Sequence, residues 1–273
     1  FFRLCLFFRL CLFFRLCLFF RLCLLFRLFF LIWLRQNIKF ILSIGRRRKP
    51  MKNLTDWFDR VYVINCAHRP DRLEETKKHL EETGMANNDW VYYYPAIIGD
   101  WTTCPADWGS GRGAWGCLRS HQRILEDVLH TRDDRHNMSL NNVLVLEDDV
   151  IFKEDSLEKL NEFMEDVPED WGQIYLGGQH RRDPTPTDSP NVIVGNSINR
   201  THAYAVNQST FTSFYRHISY ATDYRNTNKH IDHQLELAHR RKDWLVYCPK
   251  EWIAGQRAGA SNINGKTHEI NFW

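Results

Sequence analysis

Along residues 51–273 the apolar positions follow two periods, short unbroken runs and spacings of three and four. Val61-Tyr62-Val63-Ile64 is an apolar run and predicts a buried strand. Asn65 to Pro70 breaks it, and Asp71-x-x-Glu74 reads as a capping pair opening a helix that carries Leu73 and Leu80 and closes at Gly84. Trp90 to Tyr94 predicts a second strand. Asp100 to Gly116, rich in Gly, Trp and Thr, predicts a loop. A helix is expected from about Leu118, with Leu118, His121, Leu125 and Val128 on one face. Val143-Leu144-Val145-Leu146 is the strongest buried-strand signal and runs straight into Glu147-Asp148-Asp149. Asp155-x-x-Glu158 caps a helix bearing Leu157, Leu160, Phe163, Met164 and Val167, which Pro168 stops. Ile174 to Leu176 is a strand ending at Gly177-Gly178, and His180 to Pro190 is a loop. Ala203 to Val206 is a strand, Ser209 to Ile218 and Ile231 to His239 are helices, and Leu245 to Tyr247 is a strand. Strands and helices alternate, so the expected fold is α/β, a single domain with a mostly parallel central sheet flanked by helices. Ligands of such sheets bind beyond the carboxyl ends of the strands.

Residues 1–50 do not share this pattern. FFRLCL is written four times over residues 1–24, and an apolar stretch then leads to Arg46-Arg47-Arg48-Lys49-Pro50. A six-residue period turns a helix through about 600°, so Arg3, Arg9, Arg15 and Arg21 fall on three faces and build no amphipathic stripe. As a membrane span, Leu16 to Leu34 is marginal: two Arg cost roughly 6 kcal/mol and the apolar residues return about 7. No Met precedes Met51. The preferred reading is an apolar, Arg-studded repeat outside the fold, translated upstream of a start at Met51. The alternative is a membrane anchor, which confines any membrane contact to residues 1–50.

Charge sharpens the division. The whole chain carries a net +3, but residues 1–50 hold 11 basic and no acidic residues, which leaves 25 basic against 33 acidic in the body, a net −8. A nucleic-acid partner is therefore not expected of the body. Its cysteines, Cys66, Cys104, Cys117 and Cys248, form no CxxC pair and show no zinc spacing. They read as reduced thiols in a cytoplasmic, reducing compartment. Four Asn-x-Ser/Thr sites in an Asn-rich chain do not establish secretion.

Three adjacent carboxylates leaving an apolar strand repel one another and cannot be buried unpaired. On an extended backbone Glu147 and Asp149 face one way and Asp148 the other. A same-side pair at the mouth of a sheet suits a hard divalent cation, Mn2+ or Mg2+; a solvated acidic turn is the plainer alternative. Asn65, Arg69 and Arg72 follow the first strand, where Arg suits phosphate, although surface Arg is common. Gly113 to His121 enters a helix through glycines, offering N–H groups to an anion, with Ser120 and His121 as further donors. Asp232, between two His at a helix start, reads as a base or as a helix-dipole partner. Gln256, Ser261 and His268 lie in a Gly-rich tail that either folds over a ligand or simply ends the chain. Trp101, Trp108, Trp115 and Trp252 are core or loop anchors, one or two of which could stack on a sugar ring.

Taken together, Val61-Tyr62-Val63-Ile64-Asn65 with Arg69 and Arg72, Gly116-Cys117-x-x-Ser120-His121 and Leu144-Val145-Leu146-Glu147-Asp148-Asp149-Val150 resemble glycosyltransferase family 25. That family includes lipopolysaccharide-type sugar transferases and procollagen galactosyltransferases. Ala203-Tyr204-Ala205-Val206 and Ile231-Asp232-His233-Gln234-Leu235 look like its later blocks. The resemblance implies a GT-A-type sheet, a nucleotide-sugar donor such as a UDP-sugar, a glycan or protein acceptor, inversion at the anomeric carbon, and usually Mn2+. Glu147 and Asp149 then map onto the metal-binding motif. Asn65, Arg69, Arg72, Ser120, His121 and Asp148 line the donor, and Asp232 is the candidate base. His202 departs from the pattern, standing where a small residue is common, and Cys66 stands where an apolar or acidic one is usual. A catalytically silent nucleotide- or glycan-binding module, and a metal-dependent nucleotidyl or phosphoryl transferase, are the competing readings; no phosphate loop of the form Gly-x-x-x-x-Gly-Lys-Ser/Thr is present.

Overall fold

A computed structural model describes residues 50–106, 108–132, 139–220, 230–260 and 267–273. The expectations for the repeat before Pro50 and for Ser261 lie outside the described residues. The fold is that of the unit Met51–Trp273.

Helices α1 (Leu54–Trp57), α2 (Pro70–Glu82), α3 (Arg112–His130), α4 (Ser156–Asp166), α5 (Gln208–Tyr220) and α6 (Ile231–Arg241) pack on a sheet of eight strands. The strands are β1 (Arg60–Asn65), β2 (Val91–Pro95), β3 (Asn142–Glu147), β5 (Gln173–His180), β6 (Thr185–Pro186), β7 (Val192–Val194), β8 (Ile198–Asn207) and β9 (Val246–Pro249). Their order is β2-β1-β3-β8-β5-β9-β7-β6. Pairing is parallel for β1 with β2 and β3 and for β5 with β9, and antiparallel wherever β8 or β7 takes part. Six of the eight strands therefore run one way, against β8 and β7, and the sheet is mostly parallel as expected. A short antiparallel pair, β4 (Val150–Phe152) with β10 (Ala254–Gln256), continues directly from β3, and β11 (Gly259–Ala260) pairs with β12 (Thr267–His268).

Alternation along the strands assigns the two faces. Tyr62, Val143, Val145, Tyr175 and Tyr204 point to the side covered by α3, α5 and α6, through Leu118, Leu125, Phe214 and Leu235. Val61, Val63, Leu144, Leu146, Ile174 and Ala205 point to the side covered by α1, α2 and α4, through Leu54, Leu80, Leu160 and Phe163. With both faces covered, the central strands are apolar throughout, which is why they read as unbroken runs.

Several boundaries differ from the sequence expectation. Helix α3 starts at Arg112, six residues early, because the glycines read as loop are needed for close packing. A Cβ on Gly116 would lie 2.4 Å from the Ile97 carbonyl, and one on Gly99 would lie 1.7 Å from the Arg112 carbonyl. Asp71 does not cap α2: Arg69 occupies that position with Pro70 at the first turn, and Asp71 instead holds the Arg69 guanidinium. Asp155 precedes α4 without a side-chain capping bond; the Ser156 hydroxyl accepts from the Lys153 N–H. Strand β8 begins at Ile198, five residues before the expected Ala203. Strands β4, β6, β7 and β10 were too short or too polar to announce themselves.

His239 fastens α6 to the sheet. Its Nδ1 accepts from the Ile198 N–H at 3.2 Å, and its Nε2 lies 3.0 Å from Gln173 Oε1, an arrangement that only the neutral ring satisfies. Burial pushes its pKa down to about 3, and burial lowers that of His202 to about 4. The unfolded chain binds protons at both positions near pH 6.5, so stability is fully present above that value and is lost as pH falls from there toward 4 and 3. Urea midpoints should fall on acidification from pH 7 to pH 4, and the slope should be shallower in His239→Gln, although that variant starts from lower stability at pH 7. An unchanged slope would remove His239 from this account.

Candidate functional site

The carboxyl ends of β1 and β3 open on the same edge of the sheet, and antiparallel β8 returns its N-terminal residues to that edge. A cleft in two lobes lies there. One lobe, of about 310 Å³, is bounded by Ile64, Cys66 and His68 after β1, by Ala96 to Asp100, and by Gly113, Ser120 and His121 of α3. The other, of about 360 Å³, is bounded by Gln179 and Arg181, by Asn199 to His202 of β8, by His230 to His233, and by Arg257. Arg72, Cys117, Glu147, Asp149 and Gln256 line both and form the ridge between them.

The backbone turns at Asp148 and Asp149 rather than continuing extended, yet Glu147 and Asp149 still line both lobes while Asp148 reaches only the narrower one. Asp148 is buried. It accepts from Asn65 Nδ2 at 2.8 Å and pairs with Arg72 at 3.0 Å, and its carbonyl accepts from the Thr76 hydroxyl at 2.7 Å. Burial raises its pKa, against the pull of Arg72 and Asn65. Glu147 accepts from the Thr201 hydroxyl at 2.7 Å and lies 3.7 Å from His121 Nε2. Burial disfavours its charge, but His121 and Thr201 outweigh that and hold its pKa below the usual value. Asp149 accepts from Gln256 Nε2 at 2.8 Å through one oxygen, and its other oxygen is buried with no hydrogen-bond partner. Burial, followed by the charge of Glu147, pushes its pKa up to about 7. One arm of the site is thus anionic and short of positive charge.

Against that stand cations on the wider lobe. Arg200 adopts φ 79°, a left-handed conformation uncommon outside glycine; its Nε is buried without a partner and its guanidinium lies 4.7 Å from the Trp273 ring. His202 fits beside it only because Gly177 has no Cβ, which would lie 2.4 Å from the imidazole and 2.3 Å from the Ala254 carbonyl. The bulky residue at this position is accommodated by the strand facing it.

Residues 111–229 match the family model described as glycosyltransferase family 25 (LPS biosynthesis protein). Over that stretch, which is less than half of the chain, the sequence is similar to glycosyltransferase family 25. Among curated relatives, the chain is 33% identical over 168 residues to the Homo sapiens protein named inactive glycosyltransferase 25 family member 3, covering 55% of this chain and 27% of that one. It is 29% identical over 168 residues to procollagen galactosyltransferase 2 of Mus musculus, covering 54% and 25% respectively. It is 30% identical over 146 residues to the procollagen lysyl hydroxylase and glycosyltransferase of Acanthamoeba polyphaga mimivirus, covering 46% and 16%. The matched region therefore spans about a quarter or less of these relatives' own length.

Within the body, the structure places the sequence-predicted residues unevenly. Glu147, Asp149, Arg72, Ser120, His121 and Asp232 all line the cleft, and Asp148 sits at its narrower lobe. Asn65 does not line it and instead holds Asp148. Arg69 is taken up by Asp71 and stands outside. Ser120 is committed to the backbone, accepting from the Ile97 N–H and donating to the Gly116 carbonyl, both at 2.8 Å. Of the tail residues, Gln256 reaches Asp149. The four tryptophans do not line the cleft: Trp108 packs on Trp115, Trp252 stacks on His180, and Trp101 is 79% exposed. Sequence reasoning missed Thr201, Arg200, Arg181, Gln179 and Cys117. The first four come from strand ends that carry no local signal. Cys117 carried one, four residues before His121 on a helix, which the search for CxxC pairs passed over.

Removing Arg72 strands Asp148 as a buried, uncompensated charge, and breaking such a pair costs about 3 kcal/mol or more. Arg72→Met should lower unfolding free energy by that order in urea titrations, and Asp148→Asn in the same background should recover part of it. No recovery would mean that the two side chains are not coupled.

Proposed function

We propose that residues 51–273 form a glycosyltransferase domain that moves a sugar from a nucleotide-sugar donor to a hydroxyl of a glycan or protein acceptor, using a divalent ion at Glu147 and Asp149. The observation that carries this is the carboxylate ridge: two acidic side chains facing one cleft, one with a buried oxygen lacking any partner. Oxygen ligands of this kind fit Mn2+ or Mg2+. When bound, such an ion would supply positive charge to the departing diphosphate.

The lobes divide the remaining work. The narrower lobe offers apolar Ile64 and Ala96 to Ile98 together with the uncapped first turn of α3 near Gly113, which suits a nucleoside and its phosphates. The wider, polar lobe suits the sugar and the acceptor. There Asp232, in the first turn of α6, accepts from the His233 N–H at 2.9 Å through one oxygen. We assign its carboxylate the role of taking the acceptor hydroxyl proton, with attack opposite the leaving diphosphate and hence inversion. A UDP-sugar is the donor we propose, with galactose as the first candidate because two of the similar proteins are named procollagen galactosyltransferase 2.

A silent nucleotide- or glycan-binding domain is the second reading, favoured by the relatives named inactive. Sugar-nucleotide turnover with and without Mn2+ separates the two. Asp149→Asn should lower Mn2+-supported turnover by at least a hundredfold while leaving the thermal unfolding midpoint within a few degrees of wild type. Full metal-independent activity in that variant would overturn the metal assignment, and absence of turnover across a panel of nucleotide sugars would favour the silent domain.

A further inference from the structure

On helix α3, Cys117 and His121 stand one turn apart on the side facing β3, and Glu147 closes the group. The Cys117 sulfur, a His121 ring nitrogen and a Glu147 oxygen all lie within 4.8 Å of one another. His121 Nε2 and Glu147 Oε1 are 3.7 Å apart. Two ligands of one tetrahedral zinc, at bonds of roughly 2.0–2.3 Å, stand about 3.3–3.8 Å apart, so only a small side-chain adjustment is needed.

A second observation points to a ligand here. The His121 side chain is fully buried, and its Nε2 has no hydrogen-bond partner. Its other nitrogen lies 2.9 Å from the Tyr204 hydroxyl. A ring whose Nδ1–H donates to Tyr204 presents the Nε2 lone pair toward Cys117 and Glu147, the orientation that outer-shell partners impose on metal-bound histidine. Thr201 holds Glu147 in the same way. Cys117 and Glu147 both line the cleft, so an ion can enter from it.

We propose that Cys117, His121 and Glu147 form a second metal site, selective for a thiolate-seeking ion such as Zn2+. One sulfur, one imidazole and one carboxylate suit Zn2+ and Co2+, whereas Mn2+ and Mg2+ prefer oxygen donors. Binding exchanges the thiol proton for the metal: the S–H bond breaks, an S–metal bond forms, and the proton passes to solvent. If the Proposed function holds, Glu147 belongs to both sites, so Zn2+ on the helix side removes one carboxylate from the pair that serves transfer and acts as an inhibitor.

Co2+ titration of the full chain under reducing conditions tests the site, because Co2+ reports a sulfur ligand by charge-transfer absorption in the near ultraviolet. The wild-type minus Cys117→Ser difference spectrum should show one equivalent of thiolate-bound Co2+, displaced by Zn2+ and not by equimolar Mn2+. Affinity in Cys117→Ser should fall at least tenfold, with an unchanged far-ultraviolet circular dichroism spectrum. Using the difference cancels any contribution from the cysteines of residues 1–24. A wild-type chain without this band, or a band that survives Cys117→Ser, overturns the proposal. Asp149→Asn separates it from the transfer reading: that variant should lose Mn2+ binding and keep the Co2+ band, and loss of the band there also counts against the site.

Discussion

Removing three consecutive carboxylates from bulk water is the constraint that organises this molecule. A charge buried without compensation costs several kcal/mol, so the surroundings of Glu147, Asp148 and Asp149 decide what each can do. The Asp148 carboxylate is paired by Arg72 and Asn65, and Thr76 holds its backbone carbonyl. Glu147 is compensated on one side, by Thr201, with the His121 ring close by. Asp149 has a single side-chain donor, Gln256, and an oxygen with none. The gradient runs from a carboxylate that holds the fold together to one left short of partners among the described residues.

That gradient also explains how the chain is threaded. Parallel β1 and β3 bring Asn65 and Glu147 to one edge, and the other side of β3 is flanked by a strand from much later in the chain. Strand β8, entering against β3, supplies Thr201 and His202, and β10, pairing with β4 beyond the turn, supplies Gln256. Arg257 donates its backbone N–H to the Asp149 carbonyl at 2.7 Å, so the turn itself is fixed by the tail. Segments about fifty and more than a hundred residues downstream are needed to finish a site whose centre is three residues long.

This is why the sequence was legible in some places and opaque in others. Val143 to Leu146 announced itself because a strand covered on both faces needs unbroken apolar residues, and its acidic exit could be read directly as chemistry. The α/β class and the direction of most strands followed from the same signal. Arg69 could not be read correctly, because its guanidinium is claimed by Asp71 two residues on, a local competition that residue type alone does not reveal. Asn65 was placed rightly at the strand end, but its side chain supports Asp148 and does not face the cleft. The walls from Gln179, Arg181 and Asn199 to Thr201 were invisible because they are polar strand ends, indistinguishable in sequence from loop. Gly116 was read as the end of a loop when it serves contact, since Gly116 and Gly99 are small so that backbone can meet backbone.

The same reasoning bears on whether a domain with relatives named inactive retains chemistry. A domain that needs its acidic turn only for folding requires Asp148, whose partners tie β1 and α2 to the end of β3. It gains nothing from Asp149, which is buried beside another carboxylate and carries an oxygen without a hydrogen-bond partner among the described residues. Replacing such a group by a neutral or apolar one of similar shape is commonly neutral or stabilising. Glu147 stands between these cases, since Thr201 satisfies it in part but its position in the cleft serves no packing. The cation proposed to bind there would relieve both the repulsion of Asp149 from Glu147 and its unmet lone pairs.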